Sequence, residues 1–446
     1  LSGHILVLTQ SLWLSEPETY GTGQKMKTKP ISSALAEFRA RLPDKARIYV
    51  AGCSGEPLAL VEAFERAPEI AAGVTFLGIW IPGVNATDWA GLHPTAAAES
   101  IFVSQALRPS FERGRTTFLP LSYTQSTRWL AATPLDAGVV MVSPPDENGL
   151  VSLGVSADFS TLILEREDVP ILGLINSSLQ APVHGPKVPQ DRFAIIAETD
   201  KSLVQVQEAA LPATFDLIGK RIAGLCETGD TLQFGLGNVQ QAVLKSLTGH
   251  QGLRIHAGMI STPLIELLDG GAVESAYGAI TTGVAIGTDA LYDRVISDDR
   301  ILFAPVTYTH ALSTLAEIAD FKAINSCIEV DLFGQANAEF IRGRQISGTG
   351  GLVDFLRGAA LSERGRGILA LASTAKNGSI SRIVPRLPAD ATSISRADVD
   401  TVVTEHGVAE LKHKSIDARA AALIEVADPA FRAQLAEDWH EIRKGL

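Results

Sequence analysis

The sequence predicts an α/β fold built on largely parallel sheets and arranged as two similar units. Three observations carry that expectation. Short apolar runs of strand character alternate with amphipathic helical patterns along the chain. A strand, glycine loop and helix recur as a triplet in both halves, at Gly52 and again at Gly235. The length, 446 residues that are 46% hydrophobic and 20% charged, suffices for two or three domains with large cores and is unlike a disordered chain.

Taken in order, residues 1–25 show little periodicity and read as a short extended arm. Met26 to Pro30 then looks like a natural start or the edge of an ordered body. Residues 31–42 put Ile31, Leu35, Phe38 and Leu42 on one helical face. Residues 47–52 read as a buried strand, and 57–64 as a helix opening with Pro57 in its first turn. A strand over 138–143 runs into turn chemistry at Asn148-Gly149 and a second short strand, a hairpin pattern. The polar stretch 198–213 reads as a linker, dividing the chain into units at 26–205 and 214–446. In the second half 231–234 is strand, 235–239 a glycine loop and 240–247 helix. Gly52 laid over Gly235 also brings Ala59 onto Ala242, and a second offset brings Asp158-Phe159 onto Asp354-Phe355. Two matches in one order indicate a duplicated unit, and a cleft between two such domains is a usual ligand site.

Charge and composition exclude several functions. Lys and Arg total 38 against 50 Asp and Glu, a net charge of −12 with no basic run, so nucleic acid and anionic membranes are not expected partners. No apolar run is long enough for a bilayer span, and the cytoplasm is the default location. Three cysteines (Cys53, Cys226 and Cys327) match no disulfide framework or zinc spacing. No histidine pair has ligand spacing, so no metal is expected.

Among residues that could do chemistry, the loop Gly235, Leu236, Gly237, Asn238, Val239 leads from a strand into a helix. There, unpaired backbone N–H groups could meet a phosphate or thioester oxygen. It lacks the Lys-Ser/Thr of a P-loop, and a plain tight turn explains it equally well. The denser 347–351 run, with Gly350 and Gly351, could expose amides as oxyanion donors. Glu56 stands at a strand-to-helix junction, where a carboxylate either favours the helix N-terminus or acts as a nucleophile. Cys53 beside it reads as packing. His256 and His310 follow apolar strand-like runs, whose ends tend to face the site. His184 and His406 read as loop histidines. Lys376 and Gly378 lie in a loop, with Thr374, that could meet phosphates, and Met26, Trp80, Met259 and Phe333 are apolar candidates for lining a pocket.

Several long motifs then follow one another: 323–335, 347–355, 381–385 and 397–411, preceded by 52–57, 142–149, 152–156 and the stretch from Asn176 to Gly185. Together, over about residues 30–435, they resemble the acetyl-CoA hydrolase/transferase family, which includes 4-hydroxybutyrate CoA-transferases. The resemblance implies two CoA-transferase-type domains, a homodimer, coenzyme A as co-substrate, and acyl-CoA and small carboxylic acids as partners. It also implies ping-pong chemistry through a glutamyl–CoA thioester, with Gly235 to Val239 contacting CoA and Gly351, beside Gly350, donating to the oxyanion.

The sequence departs from that pattern at two positions. Gly258, in His256-Ala257-Gly258-Met259, stands where the family's nucleophilic glutamate is expected, and His310 stands where its asparagine donor is expected after Tyr308-Thr309. Glycine forms no thioester. Three readings stay open. Glu56 supplies the nucleophile of a CoA-transferase, in the manner of the butyrate or itaconate branch. Alternatively, His310 or His256 acts as base on water in a thioester hydrolase. In the third, the protein binds CoA without turnover.

Overall fold

The structure, a computed structural model, describes residues 26–388 and 392–446; the expectation for residues 1–25 lies outside them. The described residues fall into two compact units, one comprising 26–207 with 276–309 and the other 208–275 with the chain from 310 onward. The first differs from the expected 26–205 because Ala276–Thr309 joins it, and the backbone shows why. Ala157 N donates to Gly283 O at 3.0 Å, Ala285 N to Val155 O at 2.9 Å and Val206 N to Gly287 O at 2.9 Å. The stretch expected as linker is in part structured: residues 198 and 199 close the strand Ile195–Thr199, and Leu203 and Val204 are buried.

The first unit holds an eight-stranded sheet, parallel throughout. Its order is Lys29–Pro30, Ile195–Thr199, Ile171–Asn176, Ala137–Val142, Arg47–Val50, Thr75–Gly78, Ala97–Ser100, Thr116–Phe118. Strands Ala137–Val142 and Ile171–Asn176 are buried along their whole length, as befits apolar runs covered on both faces. One side packs an aromatic cluster: Phe64 edge-on to Phe76 at 5.5 Å, and Trp89 stacked on Trp80 at 5.9 Å. Trp80, expected to line a pocket, is 1% exposed and belongs to this core. The turn Gly149 forms as expected, with φ +76°, but strand Leu150–Ser152 pairs antiparallel with Lys187–Pro189. That pairing adds to the hairpin contacts across the turn, where Ser143 N donates to Ser152 O and Asp146 N to Leu150 O, both at 2.8 Å.

In the second unit the strands Arg254–Ser261, Thr231–Phe234, Phe321–Ser326, Arg366–Ala370 and Thr401–Thr404 lie side by side, with Gly407–Glu410 added antiparallel at the edge. Strands Thr75–Gly78, Arg47–Val50, Ala137–Val142, Ile171–Asn176 and Ile195–Thr199 of the first unit run in the same chain-relative order, so the duplicated scheme extends to sheet topology. Helices Ala213–Ala223 and Asn238–Ser246 press together where Gly219 lies: a Cβ there would fall 2.4 Å from Ala242 O. A small sheet continues beyond Phe321–Ser326. Glu329–Asp331 turns through Gly334 (φ +83°) to pair with Ala336–Asn337, and runs parallel to Ile383–Val384.

Candidate active site

The glycine loop of the second unit takes the form its sequence requires. Strand Thr231–Phe234 ends, Gly235 N donates to Ile324 O at 3.3 Å, and Gly237 adopts φ +99°, a conformation L side chains rarely hold. Gly237 is the N-cap of helix Asn238–Ser246 and supplies no side-chain cap, so the first-turn amides have no capping side chain. Beneath the loop, Gln233 and Asn325 exchange amide hydrogen bonds of 3.3 and 2.8 Å between neighbouring strands. A Cβ at Gly235 would meet Asn325 Oδ1 at 3.6 Å, so this buried amide pair forms the loop's floor. Sequence reasoning missed the pair, because nothing local links positions 233 and 325.

Gly258, His310 and Gly351 come together in the same unit. His310 is 3% exposed, and its ring lies 4.5 Å from that of Phe355. A Cβ on Gly258 would sit 2.6 Å from His310 Cε1, and one on Gly351 would sit 2.4 Å from Nε2. The imidazole therefore fills the volume that side chains at 258 and 351 would need. Gly351 is also the N-cap of helix Leu352–Leu361, and Gly350 before it has φ +54°. Burial, assisted by the charge of His256, pushes the His310 pKa down to about 3. A neutral imidazole that acidic when protonated is a poor base, but its N–H remains a competent donor. His256 itself lies within strand Arg254–Ser261, edge-on to Phe321 at 6.4 Å.

Glu56 belongs to the first unit and is 2% exposed. The turn that places it is tight: a Cβ on Gly52 would fall 2.0 Å from Ile79 O, and Cys53 is held at φ +52°. Asn85 Nδ2 donates to Glu56 Oε2 at 2.9 Å, while Oε1 is buried without a hydrogen-bond partner. Helix Leu58–Arg66 has Pro57 as N-cap and no side-chain cap, so Glu56 does not serve as one. Burial raises its pKa, opposed by the Asn85 hydrogen bond and by the side chains of Thr87 and Trp89. Cys53 Sγ lies 3.8 Å from Asp158 Oδ2, and burial beside that carboxylate drives the thiol pKa well up, which leaves no thiolate for attack.

The remaining expected residues are scattered. Lys376 (φ +48°), Asn377 (φ +54°) and Gly378 (φ +86°) form the exposed tip between strands Thr374–Ala375 and Ile380–Ser381. The base of that tip is anchored where Ser373 N and Oγ both donate to Glu405, at 2.8 and 2.7 Å. His184 packs against Tyr277, and His406 sits 3.7 Å from Asp428. Met26 lines a cavity of about 570 Å³ in the first unit, together with Thr28, Ile175, Glu198 and Asp200. Met259 is half-buried, whereas Phe333 is 5% exposed and covered by other side chains. Among the described residues no group of three or more His, Cys, Asp or Glu could hold a metal, and no helix is long and apolar enough to cross a membrane.

Comparison with known proteins follows the same line. The 4-hydroxybutyrate coenzyme A transferase of Clostridium kluyveri is 32% identical over 408 residues, covering 90% of this chain and 95% of that protein. The succinyl-CoA:cyclohexane-1-carboxylate CoA transferase of Geobacter metallireducens is 33% identical over 77% of this chain and 80% of its own length. Among solved structures, RipA from Yersinia pestis superposes with a TM-score of 0.85 at 26% identity, covering 94% of this chain and 98% of RipA. A 4-hydroxybutyrate CoA-transferase from Porphyromonas gingivalis superposes at 0.75 with 28% identity, covering 94% and 98% of the two chains. Residues 287–439 match the acetyl-CoA hydrolase/transferase C-terminal domain. With a relative aligned along nearly its full length and that domain in place, the chain belongs to the acetyl-CoA hydrolase/transferase family.

Proposed function

We propose that the protein moves CoA from an acyl-CoA to a small carboxylic acid, with Glu56 as the nucleophile. The observation that carries this reading is the state of the Glu56 carboxylate. It is buried, caps no helix, and keeps one oxygen without a hydrogen-bond partner. A structural carboxylate rarely persists that way, because an unsatisfied buried oxygen costs about 1–3 kcal/mol. A carboxylate made more basic by desolvation is also the stronger nucleophile once ionised.

The steps require no metal and no ATP. Glu56 attacks the thioester carbonyl carbon and expels the CoA thiolate, leaving an acyl–glutamyl anhydride. The thiolate then attacks the glutamyl carbonyl carbon, expels the donor acid as its carboxylate, and leaves a glutamyl–CoA thioester. An acceptor carboxylate reverses the sequence and departs as its own CoA ester. The amides of Gly235 to Val239 receive CoA, and Gly350, Gly351 and the neutral His310 donate to the developing oxyanion. Lys376 and Gly378 contribute phosphate contacts. A homodimer working in the cytoplasm accompanies this reading, and sedimentation analysis and cell fractionation check those two points.

Borohydride reduction after a single turnover with butyryl-CoA should trap the intermediate, and Glu56→Gln should abolish trapping and lower transfer at least about 10³-fold while CoA still binds. Undiminished transfer in Glu56→Gln rules the reading out. A second reading, direct attack of water on the thioester, is favoured by the seating of His310 over Gly258, which leaves no carboxylate there. Relatives named acetyl-CoA hydrolase, such as that of Kluyveromyces lactis (27% identical over 65% of this chain and 51% of its own length), fit that reading. It predicts thiol release with no acceptor acid present, unaffected by Glu56→Gln.

A further inference from the structure

Phe333 sits in the turn after Glu329–Asp331, and two guanidinium groups lie over its ring. Arg386 Cζ is 4.9 Å and Arg396 Cζ 5.8 Å from the ring centroid, while Trp439 packs edge-on at 5.3 Å. A third arginine joins them. Arg419 donates from Nη1 to Arg396 O at 2.7 Å, and the same nitrogen would lie 3.1 Å from a Cβ on Gly334. Burial and the neighbouring Arg396 charge together lower the Arg419 pKa.

Three cations thus converge on one turn, and among the described residues none of them forms an ion pair with a carboxylate. Carboxylates are not scarce in a chain of net charge −12. Four other arginines of the unit are paired with carboxylates: Arg357 with Asp398, Arg364 with Asp320, Arg366 with Glu410 and Arg443 with Asp417. Asp400, the carboxylate that Arg419 senses, is 3.7 Å from Lys412. Like charges gathered with no counter-ion among the described residues are unfavourable, and forked guanidiniums suit the oxygens of a phosphate. Arg386 and Arg396 are exposed, so the group they await approaches from solvent.

Topology relates this turn to the glycine loop. Thr231–Phe234 and Phe321–Ser326 are parallel neighbours, so the Gly235 loop and the chain leading to Phe333 leave the sheet at the same edge. Ile383–Val384 runs parallel to Glu329–Asp331, with Asp331 opposite Val384, which brings Arg386 out beside Phe333.

We propose that Arg386, Arg396 and Arg419 hold the phosphate monoester on the adenosine ribose of CoA, the outermost dianion of the substrate. This rests on the reading of the protein as one that binds CoA. A free nucleotide offers similar phosphate chemistry, and the test separates the two sources.

Calorimetry on the full chain compares CoA with dephospho-CoA, which lacks only that monoester, and with ATP. The unaltered protein should prefer CoA to dephospho-CoA by about tenfold or more. Arg386→Gln with Arg396→Gln should remove that preference, weakening CoA while leaving dephospho-CoA unchanged. The Lys pair at the same positions should restore part of it, which separates lost charge from misfolding. Equal affinity of the unaltered protein for CoA and dephospho-CoA overturns the inference, as does a Gln pair that weakens both alike. A Gln pair that loses only ATP overturns it as well, and assigns the cluster to a separate nucleotide. Binding is read without turnover, so an unaltered protein that transfers CoA yet shows no preference for CoA over dephospho-CoA sinks this inference alone. Absent transfer with the preference kept sinks the functional reading alone.

Discussion

At the scale of single residues, the contact between Gly258 and His310 decides what substitutions can do. A glutamate at 258 would begin with a Cβ 2.6 Å from the imidazole, and the ring is backed by Phe355 and the Gly351 backbone. Gly258→Glu alone should therefore lower stability by about 1–3 kcal/mol through overpacking and create no new thioester-forming residue. Thermal melting and mass analysis after borohydride check both parts, and a stable, newly labelled variant would refute the steric argument. Asp158 yields a pH prediction. Burial raises its pKa to about 7, with the Cys53 thiol opposing, so the folded chain holds a proton there that the unfolded chain releases near the usual carboxylate value. Its contribution is fully present below about pH 4 and is lost as pH rises through 7. Asp158→Asn should accordingly flatten the fall in stability between pH 4 and 8 and be the more stable protein at pH 8, by up to about 4 kcal/mol. Melting curves at several pH values test this, and parallel pH slopes for the two proteins would contradict it.

Among elements, the close approach of helices Ala213–Ala223 and Asn238–Ser246 bears most directly on the site. The second helix starts at the glycine loop, and its distance from the first is set by the missing side chain of Gly219. The methyl group of Gly219→Ala would meet the backbone of Ala242, which cannot yield as a flexible side chain does. The expected result is a loss of about 1–3 kcal/mol and a several-fold weaker affinity for CoA as the loop moves with its helix. Denaturation and calorimetry together check it, and unchanged CoA affinity in a destabilised protein would show that loop and helix are uncoupled. The strand Arg47–Val50 shows the same logic in the other unit: Gly52 lets the chain pass under the Ile79 carbonyl before Glu56 turns inward.

For the molecule as a whole, local periodicity revealed much more than long-range pairing. The strands and helices around Gly52 and Gly235 were legible because apolar spacing and glycine placement act within a few residues, and the α/β class follows from their alternation. The assignment of Ala276–Thr309 to the first unit was not, since it depends on hydrogen bonds such as Ala157 N to Gly283 O across more than a hundred residues. The site was legible in part. Gly351 and His310 could be named from their motifs, but that one ring would occupy the space above both Gly351 and Gly258 is a fact of packing. Trp80 and Phe333 looked like pocket walls because they are large and apolar. Burial makes the first a core residue and the second a platform under two arginines.

The imidazole seated on Gly258 also couples two distant positions in the chain. A side chain added at 258 presses on the ring at 310, and emptying 310 opens a void against Phe355. The two positions share one volume, so substitutions at them are coupled rather than additive.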